Sequence, residues 1–210
     1  MRARFQKPFL VILVVSGWFA LMAQFYLIIV NRVGSIPETI IRYFSFFTIL
    51  TNVIAVVCCT FILLKPASNV GKFFSRPDAL TAIAVYITVV AIVYNTVLRF
   101  LWRPQGLQLI VDELLHSVIP LLFIVLWFLL TVKAVLKWEN IFRWLLYPLG
   151  YVIYILIRGA FSGFYPYPFI NVTELGYNKV LVHCVGLLLV FLFLSLLFVA
   201  IGKWKSKAIQ

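Results

Sequence analysis

Six apolar stretches along the chain are each long enough to cross a hydrocarbon layer about 30 Å thick as a helix. They are Pro8–Val30, Ile40–Leu64, Asp78–Leu101, Gln108–Val132, Ile141–Phe161 and Gly176–Gly202. The connections are short and punctuated by Pro, Gly, Asn or charge, as in Lys65-Pro-Ala-Ser-Asn and Trp102-Arg-Pro-Gln-Gly, which leaves no room for a soluble domain. The pattern predicts an all-α, polytopic membrane protein: a single domain over residues 1–210, built as one bundle of six transmembrane helices. The first stretch follows Arg2, Arg4 and Lys7 and is longer than a signal-peptide core, with no small-x-small cleavage site after it, so it reads as a retained helix.

Composition supports this reading. Of 210 residues, 64% are hydrophobic and 11% charged, against about 45–50% and about 25% in soluble domains; the mean hydropathy is +1.09. Basic residues cluster on one side of the plan. The N-terminus carries Arg2, Arg4 and Lys7, the second connection Lys65, Lys72 and Arg76, the fourth Lys133, Lys137 and Arg143, and the C-terminus Lys203, Lys205 and Lys207, whereas the opposite connections hold Arg32 and Arg103. By the positive-inside rule both termini are expected in the cytoplasm of a multi-pass cell-membrane protein. The net charge of +12 is then mostly a topology signal and an attraction to membrane lipids, and its dispersal over helix ends gives no support to a nucleic-acid partner, so none is expected. Cys58, Cys59 and Cys184 lie within apolar runs without metal-ligand spacing, and neither a metal nor a cofactor is expected.

The remaining charges break the pattern. Arg42, Arg99, Arg158 and Lys179 lie within spans, at the ends facing away from the basic side, and Asp112 and Glu113 lie at the same level. Ionisable groups inside spans usually face the bundle interior, pair, and mark function. Polar residues four apart, which share a helix face, recur on five spans: Thr48 with Asn52, Asn95 with Arg99, Asp112 with His116, Tyr154 with Arg158, and Lys179 with His183. Thr48 and His116 each lie eight positions into their spans, roughly 12 Å deep. These stripes describe a polar pocket in the outer half of the bundle. There a histidine beside a carboxylate suits proton transfer, whereas threonine hydroxyls such as those of Thr48 and Thr51 commonly bond back to their own helix. His183 reads as a buried partner of Lys179 or of tyrosines, and the aromatic run Ser162-Gly-Phe-Tyr-Pro-Tyr-Pro-Phe as an interfacial belt or a lid.

With six helices, Phe46-Phe-Thr-Ile-Leu-Thr-Asn on the second and His116-Ser-Val-Ile-Pro on the fourth, the chain resembles the androgen-induced-protein family of intramembrane threonine hydrolases and the bacterial six-helix proteins similar to it. The resemblance implies a hydrolase of lipid esters, notably fatty acids esterified to hydroxy fatty acids, with a catalytic threonine on helix two and a catalytic histidine on helix four. Carried over, these fall on Thr48 and His116, with Thr51 the competing hydroxyl. Asp112 would then orient the imidazole and Asn52, Asn95 or Arg99 stabilise an oxyanion. Arg42 and Arg158 would hold a substrate carboxylate, with Glu113 and His183 at the rim. The alternative is a non-catalytic transporter or binding protein for an anionic amphiphile. The charge asymmetry also predicts that a cysteine placed at Tyr165 is labelled by an impermeant thiol reagent from outside intact cells; labelling from the cytoplasm alone would overturn the orientation.

Overall fold

The computed structural model describes residues 2–130 and 136–207; Val132, the expected end of the fourth span, and Lys133 lie outside the described residues. Every element among the described residues is helical. Among the described residues, six helices are long and apolar enough to span a membrane: Gln6–Val30, Phe47–Leu64, Pro77–Phe100, Gly106–Leu130, Asn140–Ser162 and Val172–Trp204.

The first long helix, α1 (Arg2–Val30), lies against α3 (Phe47–Leu64), and a Cβ on Gly17 would collide with Val56, so glycine permits this close approach. Where the sequence pattern reads one span over Ile40–Leu64, the chain forms two helices. The short α2 (Ile36–Tyr43) starts at Ser35, whose hydroxyl caps the Glu38 N–H, and α3 begins afresh after an extended Phe46. The break costs little because its polar groups find partners. The Ser45 hydroxyl donates to Ile41 O at 2.7 Å, and Tyr151 Oη donates to Ser45 O at 2.8 Å. Consequently Thr48 is the second residue of a helix, not a residue two turns inside one. Its N–H lies among the first-turn donors that have no partner within a helix.

After the short α4 (Asn69–Phe74), helix α5 (Pro77–Thr96) is the centre of the bundle, with Ala84, Val85 and Ile87 fully buried, and it packs on α3, on α7 (Ile119–Leu130) and on α10 (Val172–Lys207). At its N-terminal end Trp144 Nε1 donates to Asp78 at 3.0 Å, Tyr86 Oη to Trp144 O at 2.7 Å and Trp127 Nε1 to Thr81 at 2.9 Å. These bonds tie α5 to α7 and to the short α8 (Asn140–Trp144). The following α9 (Leu146–Ser162) ends at Gly163, whose φ of 67° is left-handed and suits glycine. The aromatic segment then folds back: the Tyr165 ring lies where a Cβ on Gly159 would stand. Helix α10 is interrupted at Gly176 (φ 75°, ψ 159°).

The fourth long helix is continuous but irregular. It comprises α6 (Gly106–Glu113), a π-turn over Leu114–Val118, and α7. Pro120 has no N–H for His116 O, and the Ile119 N–H bonds to Leu114 O, five residues back, so Leu115 O also loses its helical donor. Both carbonyls are recovered by side chains from neighbouring helices. Asn52 Nδ2 on α3 donates to Leu115 O at 3.1 Å, and Asn95 Nδ2 on α5 to His116 O at 3.3 Å. Asn52→Leu is therefore expected to strand a buried carbonyl and cost about 1 kcal/mol. An unchanged unfolding midpoint in mixed micelles would contradict this account.

Candidate functional site

The π-turn sets the presentation of His116. Its Nδ1 lies 2.9 Å from Asp112 O. A carbonyl can only accept, so Nδ1 carries the proton and the neutral ring bears its lone pair on Nε2. Nε2 has no protein partner among the described residues. The imidazole stacks on Tyr94 with centroids 3.9 Å apart and planes 10° from parallel, and this fixes its rotation. Asp112 thus holds the ring through its main chain rather than through its carboxylate. The carboxylate, 6% exposed, accepts from Trp102 Nε1 at 2.8 Å, Gln108 Nε2 at 2.9 Å and Tyr94 Oη at 3.4 Å. Gln108 spends its other amide proton on Gln24 Oε1 at 2.8 Å, which draws α1 into the network. No ion pair to Asp112 occurs among the described residues.

Thr48 faces the same space. Its N–H donates to Tyr167 Oη at 3.3 Å, and its Oγ1 lies 3.5 Å from that oxygen. Burial raises the Tyr167 phenol above its usual pKa, with the contacts to Thr48 opposing, so the group is a neutral donor at physiological pH. A cavity of about 800 Å³ opens between the end of α1, the start of α3, the α5–α6 connection and the aromatic segment. Thr48, Tyr94, Asp112, His116 and Tyr167 all line it, together with Gln24, Asn31, Trp102, Arg103 and Gln108. Thr48 and His116 make no direct hydrogen bond, but their backbones are joined. The one Nδ2 of Asn52 reaches Thr48 O at 2.9 Å as well as Leu115 O.

Thr51 is fully buried, contacts Tyr147 Oη at 3.2 Å and does not line this cavity. Asn52 and Asn95, expected as oxyanion donors, do not line it either; their amides are committed to backbone carbonyls. Arg99 bonds to Glu113 at 2.6 Å and to Ser117 at 3.2 Å, outside the cavity wall. Arg42 and Arg158 both reach Glu38 Oε1 at 2.8 Å and stack over Phe164, at 4.6 and 4.8 Å, so the two guanidiniums expected to await a substrate carboxylate already hold an internal one. His183 is exposed and contacts Phe169 O at 2.8 Å, and Lys179 is exposed beside it, so this pair is not part of the cavity. Among the described residues, no group of three or more His, Cys, Asp or Glu is placed to hold a metal ion.

Sequence reasoning passed over Tyr94, Trp102, Gln24, Gln108 and Glu38. Gln108 precedes Asp112 by four residues, the same spacing that drew attention to His116, and Tyr94 adjoins Asn95; both signals were present. The reach of Trp102 and Gln24 depends on how the helices are arranged and leaves no trace in spacing. Comparison with family models, characterised proteins and solved structures finds no match.

The Glu38 cluster makes a pH prediction. The hydrogen bond from Arg42 lowers the Glu38 pKa, with Arg158 adding to this and partial burial opposing it. A carboxylate with a depressed folded-state pKa stabilises above its unfolded value, about 4.3, and loses that contribution as pH falls through the folded one. Wild type should therefore be more stable than Glu38→Gln at neutral pH, with the two unfolding midpoints converging below about pH 4. A gap independent of pH would show that the charge is not what docks α2.

Proposed function

We propose that this chain is an intramembrane hydrolase of lipid esters, with Thr48 as nucleophile and His116 as general base. The observation that carries the reading is that Thr48 and His116, whose Nε2 has no protein partner among the described residues, line one cavity. Inside a span, a π-turn braced by two asparagines is an expensive way to hold a histidine unless its orientation matters. The resemblance of the two sequence motifs to the androgen-induced-protein family points the same way, and so does a set of six helices able to enclose a site within the cell membrane.

In this reading an acyl ester lies in the cavity with its carbonyl carbon beside Thr48 Oγ1, and one water bridges that oxygen to His116 Nε2. His116 Nε2 accepts the Thr48 proton as Oγ1 attacks the carbonyl carbon. The negative charge moves to the former carbonyl oxygen, which the Tyr167 hydroxyl and the positive end of the α3 dipole can stabilise. The intermediate collapses, the imidazolium gives its proton to the departing alkoxide, and the alcohol leaves. Water, deprotonated by the same Nε2, then attacks the acyl-threonine to release the fatty acid and regenerate the hydroxyl. Asp112 supports the imidazolium through its carbonyl, and its carboxylate adds a negative charge nearby.

The purified protein in lipid nanodiscs should hydrolyse long-chain esters. Thr48→Ala and His116→Ala should each lower kcat by about 10²–10⁴ while leaving the unfolding midpoint near wild type. Thr48→Ser should retain measurable turnover and Thr51→Ala most of it, and a fluorophosphonate probe should label wild type but not Thr48→Ala. Full activity in Thr48→Ala would remove Thr48 as nucleophile. A wild type that binds but never cleaves such esters would favour the transport or binding alternative.

A further inference from the structure

The polar cavity has a drier neighbour. A chamber of about 330 Å³ lies between α5, α9 and α10, its walls including Val89, Val93, Val152, Leu156, Cys184 and Leu188. That volume is at the lower end of ligand pockets, which run about 300–1,000 Å³. No charged side chain among the described residues lines it. Thr48, Tyr94, Leu98 and Tyr167 line both spaces, so the chambers share a wall at the proposed nucleophile. Their openings differ. The apolar chamber reaches the surface between α9 and α10, where its wall residues Ile153, Val185 and Leu188 are 51%, 58% and 37% exposed, on the apolar flank of two of the long helices. The polar cavity is bounded instead by Gln24 on α1 and by Asn31, Arg103 and Gln105 in the connections between helices.

We infer that the two chambers divide one substrate at its ester bond. The acyl chain enters sideways between α9 and α10 and lies in the apolar chamber, the alcohol portion occupies the polar one, and Tyr167 is the partition between them. The ester bond rests on the hydrolase reading; the binding of an acyl chain does not. A chain that leaves lipid for this chamber trades one apolar surround for another and gains little from the hydrophobic effect. The chamber therefore selects by length and shape, and hydrogen bonds in the polar cavity hold the substrate. Val152 and Leu156 on α9 and Leu188 on α10 are then the specificity-determining residues, far in sequence from either catalytic residue.

Cys184 supplies a native reporter, because it is partly exposed and lines the chamber, whereas Cys58 and Cys59 are buried elsewhere. In nanodiscs of saturated phosphatidylcholine, a non-hydrolysable long-chain dialkyl ketone should slow maleimide alkylation of Cys184 at least fivefold, and a short-chain ketone should not, with Cys184→Ala giving the background. Bilayer lipid is present in every arm. Equal alkylation with and without the long-chain ketone would therefore overturn the inference, whether the chamber stays empty or already holds a phospholipid. Val152→Trp should abolish the protection and lower kcat/KM for long-chain relative to short-chain esters at least tenfold; should that variant not fold, the alkylation of wild type still decides. Protection in a protein that cleaves no ester would sink the hydrolase reading and leave the chamber assigned.

Discussion

Proline at position 120 removes one backbone donor from the middle of an apolar helix, and much of the site follows from how that loss is met. In surroundings with little water, a carbonyl without a donor is costly. Shifting the Ile119 N–H to Leu114 O makes a π-turn and frees a second carbonyl instead of recovering the first. Asn52 and Asn95 then supply the missing donors from two other helices. A local defect is thereby converted into a three-helix junction, with α3, α5 and the fourth long helix locked at one level. His116 sits inside the π-turn, and Thr48 lies one turn from Asn52. Through Asn52 the same repair also ties together the backbones that carry the two side chains proposed to react.

Charge is distributed with similar economy. Arg99 is paired with Glu113, while Arg42 and Arg158 share the one carboxylate of Glu38. Exposed pairs of this kind contribute little, but the Arg158 side chain is only 9% exposed, and leaving it unpaired would be costly. These pairs fasten the rim: Arg99–Glu113 joins the end of α5 to α6, and Glu38–Arg158 joins α2 to α9. Asp112 is the exception. Its carboxylate is served by an indole, an amide and a phenol, and the negative charge that remains lies one turn from the imidazole that would become cationic.

The aromatic segment between α9 and α10 is held by packing rather than by charge alone. Phe164 has the guanidiniums of Arg42 and Arg158 against its ring, Tyr165 occupies the space that Gly159 leaves, and Tyr167 packs edge-on to Phe46 while stacking on Phe169. The phenol oxygen of Tyr167 reaches the start of α3 only because that helix begins at Phe47. The break after α2 and the inward fold of the aromatic segment are thus two halves of one arrangement.

Much of the plan was legible in the sequence, because hydropathy over twenty residues is a property of the chain itself. The number of long apolar helices, their approximate limits and the four-residue spacing that selected Thr48, Asp112 and His116 all come from local pattern. The restart of the helix at Phe47 escaped that pattern, since Phe44-Ser45-Phe46 is as apolar as a helix interior and its turn is stabilised by Tyr151, more than a hundred residues away. The tasks of the polar residues were likewise decided by tertiary structure. Asn52 and Asn95 carry the same groups whether they meet an oxyanion or a backbone carbonyl, and Arg42 and Arg158 the same charge whether they await a substrate or hold Glu38. Spacing determines which side chains share a face of one helix; only the packing of helices determines what stands opposite, and a hydrogen bond depends on both.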